Sequence, residues 1–215
     1  MRNPALVNGN IYHIFTKSIA GYRIFRSDED YARMREAIKF YRYANPPIKL
    51  SIYLRMIEKD VTFHKYFQDK DHLVEIIAYC LMPTHIHLIL KQLKDKGIST
   101  YMKNILDSYT RYFNTKNKRK GPLWQGRFGS VIIENDEYLL HLTRYIHLNP
   151  VSDNITETPE NWPYSSYHEY INRAGDKICN ISPYIKMDPQ NYKKFVSTRK
   201  DYQRHLSEIK HLILE

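Results

Sequence analysis

Cysteine is almost absent: Cys80 and Cys179 are the only two in 215 residues. Two thiols cannot make a metal cluster alone, and a disulfide framework needs more of them, so a reducing cytosol is the expected setting. Glycine is scarce at seven, which argues against a glycine-rich phosphate-binding enzyme. No apolar run approaches the roughly 20 residues needed to span a bilayer. The stretch from Met1 to Tyr12 has one arginine and lacks the apolar segment of a signal peptide. Membrane spans, disulfide scaffolds and metal clusters are therefore not expected.

What is present is ordinary globular material with two excesses. Hydrophobic residues make up 42% and charged residues 26%, enough to build a core. Lysine and arginine total 33 against 23 acidic residues, so the net charge of +10 points to a polyanionic partner, most often nucleic acid. Tyrosine reaches 19, supplying rings that both stack and hydrogen-bond. At roughly 150 residues per domain, the length suits one domain with an extension.

Residues 9–16 read as a first strand, rich in β-branched and aromatic side chains. Ser27 to Asp30 should start a helix carrying Tyr31, Met34, Ile38 and Tyr41 on one face, stopped by Asn45-Pro46-Pro47. Residues 45–74 read as an insertion, mostly helical. Residues 75–82 and 85–91 read as strands around a Pro83-Thr84 turn. A helix is expected over 99–114, a strand within 124–133, and a helix from Asn135 or Asp136 to Leu148, ended by Pro150. The order strand, helix, strand, strand, helix, strand is the ferredoxin-like split βαβ pattern of an α+β fold with an antiparallel sheet. Residues 1–170 would form this domain, and residues 171–215 a helical extension whose surface helix covers 191–214.

Three groups of residues can carry chemistry. His85 and His87 alternate along a strand, so both rings project to one side; they are either a pair of metal ligands or two solvated histidines. Tyr145 and Asn149, four apart on a helix, share a face; they are either nucleophile and ligand or a core ring and a helix end. Arg111, Lys118, Arg119, Lys120, Trp124 and Arg127 combine cations for phosphates with a ring for unpaired bases, against the alternative of a solvated charge run beside a core tryptophan.

The run Ala78-Tyr79-Cys80-Leu81-Met82-Pro83-Thr84-His85-Ile86-His87-Leu88 resembles the metal-site hairpin of single-tyrosine His-hydrophobic-His (HUH) transposases, the insertion-sequence-200-like family. The REP-associated tyrosine transposase branch is the closer match. Its later motifs appear as Gly121-Pro122-Leu123-Trp124-Gln125-Gly126-Arg127-Phe128, as Tyr145-Ile146-His147-Leu148-Asn149-Pro150-Val151, and as Trp162-Pro163-Tyr164-Ser165-Ser166-Tyr167. The resemblance spans roughly Gly9 to Tyr170. It implies an HUH fold, His85 and His87 as metal ligands, Tyr145 as nucleophile and Asn149 as a polar third ligand. Thr84 stands where relatives usually have asparagine, and Ser152-Asp153 where Arg-Ala is more typical.

The expected activity is DNA transposition: metal-dependent cleavage and rejoining of single-stranded DNA through a 5′-phosphotyrosine. Mg²⁺ or Mn²⁺ suits a site of imidazole, amide, phosphate and water oxygens. The expected partner is single-stranded or hairpin DNA, met by a monomer or homodimer in a prokaryotic cytoplasm at the nucleoid. The alternative is a domesticated, non-catalytic hairpin-binding module on the same fold.

Overall fold

The computed structural model describes residues 5–57, 67, 71–174 and 176–198. Strand β1 (Ile11–Lys17) leads to helix α1 (Asp28–Phe40) and a short α2 (Leu50–Ile57). Strands β2 (Val74–Met82) and β3 (His85–Gln92) form the hairpin around Pro83-Thr84. Helix α3 (Gly97–Lys116), strand β4 (Gly129–Ile133) and helix α4 (Asp136–Ser152) complete the core, followed by α5 (Tyr167–Tyr170) and α6 (Pro189–Ser197). The expected order holds. In the proposed insertion, α2 is helical and 58–66 with 68–70 lie outside the described residues. In the extension, α6 ends at Ser197 and residues 199–215 lie outside them.

The four strands form one antiparallel sheet in the order β2-β3-β1-β4, the α+β arrangement expected. Phe15 pairs with His87, Lys17 with His85 and Gly129 with Phe15. Directly paired residues share a face. Tyr12, Ile14, Ile86, Leu88 and Leu90 therefore face one way; all are buried, and α1 and α3 pack together over them. Two tyrosines of α3 finish this layer on backbone carbonyls: Tyr101 Oη donates to Ile38 at 3.0 Å, and Tyr109 Oη to Ile24 at 2.7 Å. Each apolar side chain buried here contributes about 1.5–3 kcal/mol.

His13, Phe15, Lys17, His85 and His87 face the other way, toward α4. Gly129 is required by this face: a Cβ there would lie 2.3 Å from the Phe15 ring. Helix α4 starts well, because Asn135 is extended and its side chain accepts the Tyr138 amide at 2.8 Å. Its end corrects the reading from sequence. Pro150 does not stop the helix at Leu148 but sits inside it, and the helix runs on to Ser152. The ring removes the amide that would have bonded the Ile146 carbonyl, a loss of one bond in the last turn of the helix.

The Trp-Pro-Tyr-Ser-Ser motif closes the outer edge of β2. Leu81 N donates to Tyr164 O at 2.9 Å, Ser166 N to Tyr79 O at 2.9 Å, and Trp162 Nε1 to Leu81 O at 3.1 Å. Further along, Tyr170 Oη bonds the Ile77 carbonyl and Asn180 N the Ile76 carbonyl.

Candidate active site

The α4 face of the sheet gathers four of the residues singled out from sequence. His85 and His87 rings lie 5.1 Å apart between centroids and nearly perpendicular, at 88°. The Tyr145 ring stands edge-on to His87 at 5.9 Å. Asn149 is one turn further along α4, buried, and its Nδ2 has no hydrogen-bond partner among the described residues. Tyr145 itself is only 8% exposed.

Burial makes both histidines neutral bases. It lowers His85 to about 4, with Lys17 adding to that lowering and Asp153 opposing it. It holds His87 well below the ordinary imidazole range, with His13, His85 and Lys17 adding to the effect. A neutral imidazole keeps a lone pair, which a metal ligand needs. His85 Nδ1 contacts Thr84 Oγ1 at 3.0 Å and His87 Nδ1 contacts His13 Nε2 at 3.0 Å. The Nε2 atoms of both rings have no hydrogen-bond partner among the described residues, and neither is sealed from solvent. Two neutral imidazoles whose Nε2 atoms have no partner among the described residues fit a divalent cation, and Asn149 would offer its Oδ1, since its unpaired Nδ2 is a donor. The described residues contain no group of three His, Cys, Asp or Glu able to hold one, so the amide would have to complete the set.

Helix α4 is held in place by a buried chain of hydrogen bonds. His147 Nε2 meets Ser166 Oγ and its Nδ1 meets Tyr192 Oη, both at 2.8 Å. Tyr192 Oη in turn donates to Thr143 Oγ1 at 2.9 Å, and Thr143 to the Leu140 carbonyl. The Tyr192 hydroxyl spends its proton on Thr143, so it accepts from His147 Nδ1–H; the Ser166 hydroxyl proton is shared between His147 Nε2 at 2.8 Å and the Tyr79 carbonyl at 3.2 Å. Every member is satisfied with a neutral imidazole, and burial lowers His147 to about 3 to match. The chain ties α6 and the Ser166 segment to the helix that carries Tyr145.

The basic and aromatic set divides. Lys118, Lys120 and Arg127 are exposed on the loop between α3 and β4. That loop passes the end of β1, where Gln125 N bonds the Lys17 carbonyl at 2.9 Å. Arg119 is used internally, donating to Asn114 Oδ1 at 3.0 Å and to the Pro122 carbonyl at 2.7 Å. Trp124 is half-buried, and its Nε1 donates to Thr110 Oγ1 at 3.1 Å and the Leu106 carbonyl, so it anchors the loop to α3. Arg111 lies apart from the histidines, lining a groove with Arg33, Lys49 and Lys116. Two residues on the site face were missed from sequence: Lys17, opposite His85, and His13, beside His87. Only the pairing of β1 with β3 discloses them.

The fold agrees with comparison to known proteins. Residues 54–149 match the family described as "Transposase IS200 like". A Haemophilus influenzae protein, assigned by name to the REP-associated tyrosine transposases, is 33% identical over 108 residues, 45% of this chain and 61% of its own length. The REP-associated tyrosine transposase of Escherichia coli is 30% identical over 106 residues, 49% of this chain and 61% of its own length. The chain thus spans about 61% of the length of both relatives. A solved REP-associated tyrosine transposase bound to a REP hairpin superposes with a TM-score of 0.56 at 18% identity, covering 87% of this chain and 98% of the other. At that identity the likeness is one of fold. No helix among the described residues is long and apolar enough to cross a membrane.

Proposed function

We propose that this chain is a REP-associated tyrosine transposase that cleaves and rejoins single-stranded DNA beside a hairpin, with Tyr145 as nucleophile. The observation that carries the reading is the Tyr145 ring standing 5.9 Å from His87, on the face shared with His85 and Asn149. The Tyr145 oxygen attacks a backbone phosphorus and its proton is lost. The bond to the 3′ oxygen breaks, and that oxygen departs as a 3′-hydroxyl. The product is a 5′-phosphotyrosine, which a second 3′-hydroxyl attacks to restore a phosphodiester and free the tyrosine. One bond forms as one breaks in each half, so no external energy source is required.

His85, His87 and Asn149 would hold a Mg²⁺ or Mn²⁺ ion. When bound, that ion supplies positive charge to the phosphate oxygens, stabilising charge that develops in transfer. Lys118, Lys120 and Arg127 supply phosphate contacts around the site. The hairpin bound by the solved relative supports hairpin DNA as the partner.

Incubation of labelled hairpin DNA with the protein and Mn²⁺ tests the reading. A covalent protein–DNA adduct that requires Tyr145 supports it. Binding without any adduct would make the chain a hairpin-recognition module instead.

A further inference from the structure

His13 lies outside every motif and outside the stretch matched by the family. It is fully buried on β1, its Nε2 is 3.0 Å from His87 Nδ1, and the two rings stack at 5.2 Å and 17°. Its other nitrogen, Nδ1, is buried without a partner among the described residues. An imidazole in such a place carries a desolvation cost that an apolar side chain of similar volume would not. The contact with His87 is what that cost sustains.

The contact can be made in two ways, because a neutral imidazole has one N–H and one lone pair. If His13 Nε2–H donates, the lone pair of His87 is spent on Nδ1 and its proton sits on Nε2. If His87 Nδ1–H donates, Nε2 is left with a lone pair and no partner among the described residues. The arrangements exclude each other, and only the second lets His87 ligate a cation through Nε2. We propose that His13 is a positioning residue that accepts the Nδ1–H of His87 and so fixes the ligand-competent tautomer. The partner strand thereby orients a ligand of the hairpin, as outer hydrogen-bond partners do at other histidine–metal sites. This rests on the metal reading given above.

The test is Mn²⁺ binding by calorimetry to the full chain without DNA, for the parent, His13→Phe and His13→Gln. Phenylalanine fills the space without accepting; glutamine restores an acceptor oxygen. The expected result is about 10–100-fold weaker binding for His13→Phe and recovery to within a few-fold for His13→Gln. In parallel, ¹⁵N spectra of the Mg²⁺-loaded parent should show His87 protonated at Nδ1 and bare at Nε2. A folded His13→Phe that binds Mn²⁺ like the parent overturns the proposal. So does a proton on His87 Nε2 in the loaded parent, which decides the matter even if the variants fail to fold. A parent that binds no Mn²⁺ removes the metal reading itself, a separate result from failure of His13 alone.

Discussion

Alternate residues of β1 and β3 meet two different environments. Toward α1 and α3 they are Tyr12, Ile14, Ile86, Leu88 and Leu90, and the tyrosine hydroxyls of α3 that close the layer end on backbone carbonyls. Toward α4 they are His13, Phe15, Lys17, His85 and His87, and buried atoms on His13 and Asn149 are left unpaired. The same strands therefore carry one apolar layer and one layer that buries neutral imidazoles. Unsatisfied polar atoms in native interiors concentrate where function needs them.

The comparison is broken most sharply by Tyr145→Phe. Removing one oxygen from the α4 face should cut covalent adduct formation by more than about 10³-fold, while melting temperature and hairpin affinity stay close to the parent. An adduct that survives would move the nucleophile elsewhere. Leu88→Ala, one residue from His87 on the opposite face, should show the reverse. It should cost about 3 kcal/mol in urea unfolding and leave the Mn²⁺ affinity of the folded protein unchanged. A matching loss of metal affinity would show that the faces are not independent.

Acid should separate the faces next. The folded-state values of His13 and His147 are about 3 and that of His85 about 4, all below the 6.5 of an unhindered imidazole. The unfolded chain then binds more protons below pH 6.5, so stability is full above that pH and falls as pH drops toward 4. Each fully buried histidine steepens the fall by about 1.4 kcal/mol per pH unit. Hydrogen exchange between pH 7 and 5 should loosen α4 before α3; uniform protection would count against the division. The smallest effects belong to the loop. Lys118→Ala, Lys120→Ala or Arg127→Ala should each weaken hairpin binding a few-fold and flatten the salt slope by about 0.9. Arg119→Ala, whose guanidinium is spent on Asn114 and Pro122, should lower the melting temperature instead.

Much of this was legible before the structure. The strand and helix order follows from periodicity and turn residues, and alternation alone puts His85 and His87 on one side. Helical spacing puts Tyr145 and Asn149 on one face of α4. What escaped depends on contacts between distant segments. His13 is a lone histidine in an apolar strand until β1 pairs with β3. Sequence likewise does not reveal that Trp124 Nε1 bonds Thr110 and Leu106, or that Arg119 bonds Asn114 and Pro122. His87, read from sequence as a metal ligand or a solvated histidine, is only 3% exposed because Phe15, His13 and Tyr145 surround it. His87→Ala should therefore lose stability as well as metal.

The closed edge of β2 also sets a valence. Residues 162–166, Tyr170 and Asn180 occupy the outward backbone groups of that strand. On the far side, β4 pairs only with β1 among the described residues, and Ile132 is exposed there. A sheet with two open edges can add copies without limit, as fibres do. A sheet with one open edge is monovalent: strand-to-strand association, if it occurs, terminates at a pair.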